Sequence, residues 1–219
     1  MSTRGWNMIE TATGIILRTR PLTETSLILH WLTPDFGRLT TVAKGARRPK
    51  SPFAGRLDLF YAADFSFSRS RSSDLHNLRE VNLRETHDAI RGDILKLQQA
   101  AYATAFVEQA TETETPLPEI FALTRDFLKS LCEQKPRPQT VFAFELKLLD
   151  ELGLAPDLDE TRLTPGAKKI AAALLAGDWQ SVARLKLTGE QNRELHEWLH
   201  GFLIFHLGKL PRGRNAALH

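Results

Sequence analysis

The spacing of the apolar residues changes once along the 219-residue chain, near residue 87. Between residues 12 and 87, apolar and polar residues alternate and turn residues interrupt the runs, which is typical of short antiparallel strands. After residue 87 the apolar residues recur every three or four positions, which is the spacing of helices. The sequence therefore predicts an α+β protein, with a β domain at residues 1–86 and an all-α domain at residues 87–219.

The first segment contains about five short strands. They are predicted at residues 13–19, 26–33, 38–43, 59–68 and 75–83. The second run places Leu27, Leu29 and Trp31 on one face, and it ends at a hairpin turn in which Gly37 supplies the positive φ. Closure removes the edges that so small a sheet would expose, so we predict a five-stranded β-barrel.

Five helices are predicted in the second segment. They cover about residues 88–111, 118–134, 139–152, 165–177 and 188–207. In the first helix, Ile90, Ile94, Leu97, Ala101 and Ala105 share one face, which we expect to be buried.

Two helix starts carry specific end signals. Thr164 before Pro165 has the pattern of an N-cap followed by a proline in the first turn. Thr188 and Gln191 have the spacing of a capping box, in which each residue satisfies a backbone N–H of the other. Both signals support the predicted helix boundaries.

One stretch of the β domain carries charge of a single sign. Between residues 38 and 56 there are six cations and no Asp or Glu, namely Arg38, Lys44, Arg47, Arg48, Lys50 and Arg56. Like charges held this close repel one another, so a folded domain keeps them together mainly where an anion binds, and a nucleic-acid backbone is the commonest such anion. The alternative is a solvated, mobile loop.

The overall composition is that of an ordinary globular protein, and its charge is unevenly distributed. Residues 1–88 carry 13 Lys and Arg against 9 Asp and Glu, whereas residues 89–219 carry 16 against 17. A single cysteine, Cys132, excludes an intramolecular disulfide and a multi-cysteine zinc site. The sequence shows no secretory apolar core and no run long enough to span a membrane. We therefore expect a cytoplasmic protein.

The string His196-Glu197-Trp198-Leu199-His200 matches the H-E-x-x-H pattern of zinc proteases. In the longer form of that motif, a glycine breaks the helix so that a third histidine turns back, but here Leu203 occupies that position. On a continuous helix His206 would face away from the pair. We therefore favour a surface helix, with the two histidines and Glu197 on its polar side and Trp198, Phe202 and Phe205 on its apolar side. A zinc hydrolase is kept as an alternative.

Other catalytic patterns are missing from the sequence. It contains no Gly-rich phosphate loop with a following lysine and no G-x-S-x-G nucleophile elbow. We therefore expect a protein that is not an enzyme and that needs no cofactor.

The basic stretch has a clearer meaning on a barrel. A five-stranded barrel with a cationic loop and exposed aromatic side chains can follow a phosphate backbone and stack bases, as oligonucleotide-binding (OB) folds do. Trp31, Phe53 and Tyr61 are the aromatic candidates for stacking, although a place in the core is the simpler expectation for most of them.

Several motifs in the β domain resemble the RecO family of bacterial DNA repair proteins. They are Thr13-Gly14-Ile15-Ile16-Leu17-Arg18, Glu24-Thr25-Ser26-Leu27, and Ala43-Lys44-Gly45-Ala46-Arg47-Arg48 followed by Ser51 and Gly55. Weaker similarity continues through Leu152-Gly153-Leu154-Ala155-Pro156 and the ending His206 to Arg214.

The resemblance implies an N-terminal OB barrel and a helical domain. It also implies a non-enzymatic recombination mediator of the RecF pathway that binds single- and double-stranded DNA, anneals complementary strands, and helps RecA to replace single-strand-binding protein. The implied partners are RecR and the acidic tail of single-strand-binding protein. By the same resemblance, Lys44, Arg47 and Arg48 lie where the family barrel meets DNA, whereas Arg38, Lys50 and Arg56 are candidates on charge alone.

The sequence departs from the family in one respect. Many members carry a four-cysteine zinc-binding insertion after the equivalent of Pro156, whereas residues 157–164 contain no cysteine and lead directly into the next helix. We therefore expect no structural zinc. A third possibility for function is a protein-interaction module in which the basic stretch serves only solubility.

Overall fold

The computed structural model describes residues 9–219, and its first unit is a closed barrel of five strands, as predicted. The strands are β1 (Ile9–Pro21), β2 (Leu27–Thr33), β3 (Gly37–Ala43), β4 (Ala62–Ser68) and β5 (Leu75–Glu85). Residues 1–8, which include most of the segment searched for a secretory signal, lie outside the described residues.

The strands follow the order β1-β2-β3-β5-β4, and β1 closes the barrel by pairing with β4. All pairs are antiparallel except β3 with β5. The first half of β1 pairs with β4 and the second half with β2. Gly14 lies near this change of partner, where an added Cβ would be 3.0 Å from the Phe65 ring and 3.1 Å from the Leu32 carbonyl oxygen. The close approach of three strands therefore requires a glycine.

The barrel core is aromatic. Trp31 is fully buried and stacks on Phe65 at a centroid distance of 4.1 Å. Its indole Nε1 donates a hydrogen bond of 2.9 Å to the Thr41 hydroxyl. The predicted inward face of β2 is confirmed for Leu29 and Trp31, because a side-chain period of two places both in the core.

Residues 111–121, which we call the barrel strap, belong to the barrel unit, although 25 residues separate them from the end of β5. The Glu114 amide donates to the Arg38 carbonyl at 3.0 Å, and the Leu117 amide donates to the Pro34 carbonyl at 2.9 Å. A Cβ on Gly37 would lie only 1.8 Å from the Thr115 carbonyl oxygen. The strap therefore packs against the β2–β3 hairpin. The predicted β domain of residues 1–86 ends before the strap and so leaves it out.

The second unit consists of residues 87–110 and 122–219 and is helical. The helices of the described chain are α1 (Ile94–Ala110), α2 (Pro118–Glu133), α3 (Pro138–Glu151), α4 (Pro165–Ala176), α5 (Trp179–Arg184), α6 (Gly189–Leu207) and α7 (Arg214–Leu218). α3 is buried on nearly every face and contacts α1, α4, α5, α6 and α7. A helix that is apolar all round occupies the centre of its unit.

The expected buried face of the first helix is confirmed for Ile90, which is fully buried just before α1, and is wrong for Ile94 and Ala101. Ile94 is 69% exposed and Ala101 is also exposed, whereas Tyr102 and Phe106 are buried. Gln99 is buried too, because its amide donates to the backbone carbonyls of residues 137 and 217 at 3.1 and 3.0 Å. The buried face of α1 includes polar side chains that find partners, and a pattern of apolar residues alone does not reveal it.

Three buried polar side chains, one each from α1, α3 and α7, form a network in the helical unit. Arg214 donates from Nε and Nη2 to the two carboxylate oxygens of Glu145 at 2.6 and 3.0 Å. The Tyr102 hydroxyl donates to the same carboxylate at 2.5 Å. Burial and the charge of Glu145 raise the pKa of Tyr102 well above its ordinary value, so the phenol remains a donor. The network joins α1, α3 and α7.

The predicted helix starts are confirmed. The Thr164 hydroxyl accepts from the Ala167 amide at the start of α4. Thr188 and Gln191 form both hydrogen bonds of the capping box at the start of α6. Within residues 9–219, no helix is both long enough and apolar enough to cross a membrane.

Candidate nucleic-acid interface

The basic stretch forms the connection from β3 to β4, residues 44–61, which we call the basic loop. Successive backbone hydrogen bonds fold it into turns: Arg48 to Gly45 at 3.1 Å, Ser51 to Arg48 at 3.0 Å, and Arg56 to Phe53 at 3.0 Å. Gly45 has a φ of +70°, a conformation that glycine adopts without strain. Because its backbone hydrogen-bonds within itself, the loop has a defined shape.

Two phenylalanines anchor the basic loop to the barrel. Phe53 is 7% exposed and belongs to the barrel core, and Phe60 is 1% exposed. The Phe60 amide donates to the Ile16 carbonyl at 2.9 Å, and the Ile16 amide donates to the Tyr61 carbonyl at 3.0 Å. The apolar residues of the loop thus fix it to β1 and leave its cations on the outside.

Arg47 joins the basic loop to the β1–β2 turn. Its backbone amide donates to the Thr25 carbonyl at 3.0 Å, and its Nη1 donates to the Thr23 carbonyl at 3.3 Å. The turn is itself closed by hydrogen bonds from the Ser26 amide to the Thr23 hydroxyl at 3.1 Å and from the Leu22 amide to the Ser26 carbonyl at 2.9 Å. Two loops that are separate in sequence therefore form one surface.

Lys44, Arg48 and Lys50 are exposed on this surface. Within residues 9–219, none of the three side chains has an ion pair or a hydrogen bond. Their charges are therefore neutralised by solvent ions alone, and a polyanion that displaces those ions gains counterion entropy.

The remaining predicted cations are placed differently. Arg38 is half-buried in β3, and its Nη2 donates to the Thr111 carbonyl of the barrel strap. Arg56 is exposed, and its Nη1 donates to the Val81 carbonyl of β5 at 3.1 Å. Both side chains therefore have partners within the barrel unit, unlike those of Lys44 and Arg48.

Further positive charge lies on the barrel wall beside the β1–β2 turn. Arg18 pairs across the β1–β2 ladder with His30, whose pKa is lowered to about 4 by burial and then by the charges of Arg18, Arg20 and Arg38. Burial is the larger cause, and the three arginines add to it because their charges disfavour a further positive charge on the imidazole. Neither Arg18 nor Arg20 was predicted as a DNA contact, because both lie in a strand outside the continuous basic stretch of residues 38–56.

The aromatic side chains proposed for base stacking are not all available. Trp31 is fully buried and Phe53 nearly so, which rules both out as stacking surfaces. Tyr61 is half-buried and packs against the barrel core. The alternation that places Trp31 in line with Leu29 is the signal that assigns it to the core.

The His-Glu-x-x-His string lies in α6 without a metal-binding arrangement around it. The rings of His196 and His200 are 6.2 Å apart between centroids. Burial, followed by the charge of Arg214, lowers the pKa of His196. In the described part of the chain, no three His, Cys, Asp or Glu side chains come together as metal ligands do. The zinc hydrolase alternative therefore gains no support from this geometry.

The predicted apolar face of α6 is wrong. Leu195, Leu199 and Leu203 are the buried residues, whereas Phe205 is 83% exposed. Trp198, Phe202 and Phe205 line a shallow depression on the surface of the helical unit. The leucines repeat at every fourth position and form the inward face, so the aromatic residues remain at the surface.

Comparisons with known proteins agree with the division into a barrel and a helical part. The family described as "Recombination protein O N terminal" matches residues 8–87, and "Recombination protein O C terminal" matches residues 91–162. The chain is 32% identical over 152 residues to the DNA repair protein RecO of Exiguobacterium sibiricum, an alignment that covers 69% of this chain and 60% of that protein.

Two further relatives bear the same name. The DNA repair protein RecO of Anaeromyxobacter dehalogenans is 29% identical over 90% of this chain and 91% of its own length. That of Synechococcus elongatus is 36% identical over 62% of this chain and 48% of its own length. Both halves of the family are thus matched in order, the first over the barrel strands and the second over residues 91–162 of the helical part, and the chain belongs to the RecO family.

Proposed function

We propose that this protein is a DNA repair and recombination mediator that binds DNA through the basic loop and performs no bond chemistry. The observation that carries the proposal is the group of exposed cations Lys44, Arg47, Arg48 and Lys50 on an ordered loop of an OB barrel. Membership of the RecO family supports a role in DNA repair.

The mechanism follows from electrostatics. Two complementary strands, or a strand coated with single-strand-binding protein, are kept apart by phosphate charge. Cations on the loop neutralise part of that charge, which lowers the repulsion between strands and lets base pairing proceed. Phosphate contacts fix the position of the protein on DNA and carry no sequence information, so we expect binding to any sequence and annealing of any complementary pair.

The partners implied by the family extend this proposal. We expect the protein, together with RecR, to help RecA replace single-strand-binding protein on gapped DNA. For the helical unit, the exposed aromatic surface of Trp198, Phe202 and Phe205 favours a second role in binding a protein. The acidic tail of single-strand-binding protein is the partner to test there, by titration of a labelled tail peptide into wild type and Phe205→Asp. Weaker binding by the variant would support this role, and equal binding would contradict it.

Fluorescence anisotropy of a labelled single-stranded oligonucleotide across a salt series tests the proposal. If four to six phosphates are contacted, log affinity falls against log salt with a slope of about −3 to −4. Replacing Lys44, Arg47 and Arg48 with alanine should make that slope less steep by about 2 and weaken all sequences about equally. In a strand-annealing assay, the triple alanine variant should likewise anneal complementary strands more slowly than wild type.

A matched control removes three exposed cations from the helical unit. Lys129, Lys169 and Arg193 are exposed, so their triple alanine variant loses the same net charge away from the basic loop. The control should bind as wild type does. A flat salt response of the wild type, or equal losses in both triple variants, would contradict DNA binding at the loop.

A further inference from the structure

A cavity of about 350 Å³ opens between the β1–β2 turn and the basic loop. Its lining has three kinds of groups. Apolar surface comes from Leu22 and Val42, hydroxyl groups from Thr23 and Thr25, and positive charge from Lys44 and Arg48. Among residues 9–219, no Asp or Glu lines it. The volume lies at the lower end of the range for ligand pockets.

The walls of the cavity are held in place without a ligand. Arg47 hydrogen-bonds to the Thr23 and Thr25 carbonyls and so joins the two sides. The turn of residues 22–26 is closed by its own hydrogen bonds. A site formed in advance loses less conformational entropy on binding, which favours a role as a binding pocket.

Leu22 is the residue that a simple phosphate site does not explain. It is 47% exposed at the tip of a turn, next to the cations of the basic loop. A phosphate alone would use Lys44 and Arg48 and gain nothing from an apolar wall. A ligand that uses both surfaces has an anionic part and a flat, uncharged part within one nucleotide length of each other. A nucleotide unit of a strand has this composition.

We propose that the cavity holds one unpaired nucleotide of the bound strand, with its base against Leu22 and Val42 and its flanking phosphates on Lys44 and Arg48. This inference rests on the proposed DNA binding by the basic loop and adds a preference for single strands. In a duplex the base is stacked and paired, and it must be unstacked and unpaired before it can enter a pocket. The cavity therefore contributes to binding only where a base is already free.

The test compares two single strands of equal length and equal phosphate number. One is a labelled thymidine oligonucleotide, and the other carries tetrahydrofuran abasic units in its central positions. Wild type should bind the base-bearing strand about 3- to 10-fold more tightly, which is less than stacking on an aromatic ring would give. Leu22→Ala should remove most of that ratio without changing the salt slope or the affinity for the abasic strand.

Leu83→Ala is the matched control, because Leu83 is also an exposed leucine of the barrel unit and does not line the cavity. It should keep the wild-type ratio. Equal binding of both strands by wild type, together with a steep salt slope, would overturn the nucleotide pocket and leave DNA binding by the loop intact. Binding of neither strand would overturn both. Crosslinking of a 4-thiothymidine strand to residues 22–26 would support the pocket independently of affinity, and crosslinking only elsewhere would overturn it.

Discussion

The two units use the same kind of side chain in opposite ways. In the helical unit, Arg214 is 2% exposed and makes a bidentate ion pair with Glu145. In the barrel unit, Lys44 and Arg48 are exposed and have no carboxylate partner within residues 9–219. The barrel unit also contains paired arginines, such as Arg69 with Glu10 at 2.9 Å, so the difference lies in whether a carboxylate is within reach of the individual cation. A cation paired inside the fold stabilises it, and a cation without such a pair attracts an external anion.

The largest effect is expected from Arg214→Met. The variant leaves the Glu145 carboxylate buried without its counter-charge, which should lower the free energy of unfolding by about 3–5 kcal/mol, as measured by urea denaturation. The double variant Glu145→Met with Arg214→Met removes both charges and should recover most of the loss. If the double variant is as unstable as the single one, the loss of stability does not come from the unpaired charge of Glu145.

A smaller effect is expected from Arg38→Met. Arg38 belongs to the predicted DNA-binding cations, yet its side chain also has a partner inside the barrel unit. Its side chain donates to the Thr111 carbonyl of the barrel strap, so the variant should lose about 1–3 kcal/mol of unfolding free energy. The salt slope of DNA binding should stay within error of wild type. A clear loss of slope without a loss of stability would place Arg38 with the DNA-contacting cations instead.

The free energy of unfolding should also depend on pH through His30 of the barrel unit. Burial and the charges of Arg18, Arg20 and Arg38 lower the pKa of His30 to about 4, against about 6.5 in the unfolded chain. Because the folded pKa is the lower one, the unfolded chain binds the proton first. The free energy of unfolding that depends on His30 is therefore at its full value above about pH 6.5, and it decreases as the pH falls toward 4.

Since His30 is only half-buried, the expected loss is about 1–2 kcal/mol between pH 7 and pH 4.5 after allowance for solvent screening. Urea denaturation of wild type and His30→Gln at both pH values measures it. The variant should show a smaller fall in stability on acidification. An identical fall in both proteins would mean that His30 does not sense the positive face of the barrel.

The smallest effect on stability is expected from Lys50→Ala. An exposed side chain without partners should change the free energy of unfolding by less than about 0.5 kcal/mol. The salt slope of single-strand binding should nevertheless become less steep by about 0.7. Lys129→Ala, which removes an exposed lysine from α2, should change neither quantity. Equal slopes for the two variants would remove Lys50 from the proposed interface.

The features that could be predicted from the sequence are those with a local signal. Each barrel strand has one buried face, so alternation identifies Leu29 and Trp31 as core residues. The capping box of Thr188 and Gln191 lies within three residues and is confirmed. The cations of the basic loop stand out because residues 38–56 contain six of them and no Asp or Glu.

The features that could not be predicted depend on partners far away in the chain. Arg214 and Glu145 are 69 positions apart, and nothing in the local sequence of either indicates the pairing. The buried Gln99 depends on a carbonyl 118 positions away. The cavity beside Leu22 lies between two loops that Arg47 joins by a hydrogen bond to the Thr23 carbonyl, 24 positions away. In each case a long-range contact decides what a short-range pattern leaves open.

The barrel strap has a consequence for the order in which the chain folds. Residues 111–121 are synthesised only after all of α1, yet Glu114 hydrogen-bonds to Arg69 at 2.8 Å and to His76 at 3.0 Å in the barrel. At about 5–20 residues per second, the ribosome delivers this segment a few seconds after β5. During that interval the nascent chain contains all five strands, and the backbone groups of Pro34 and Arg38 that later pair with the strap have no such partner.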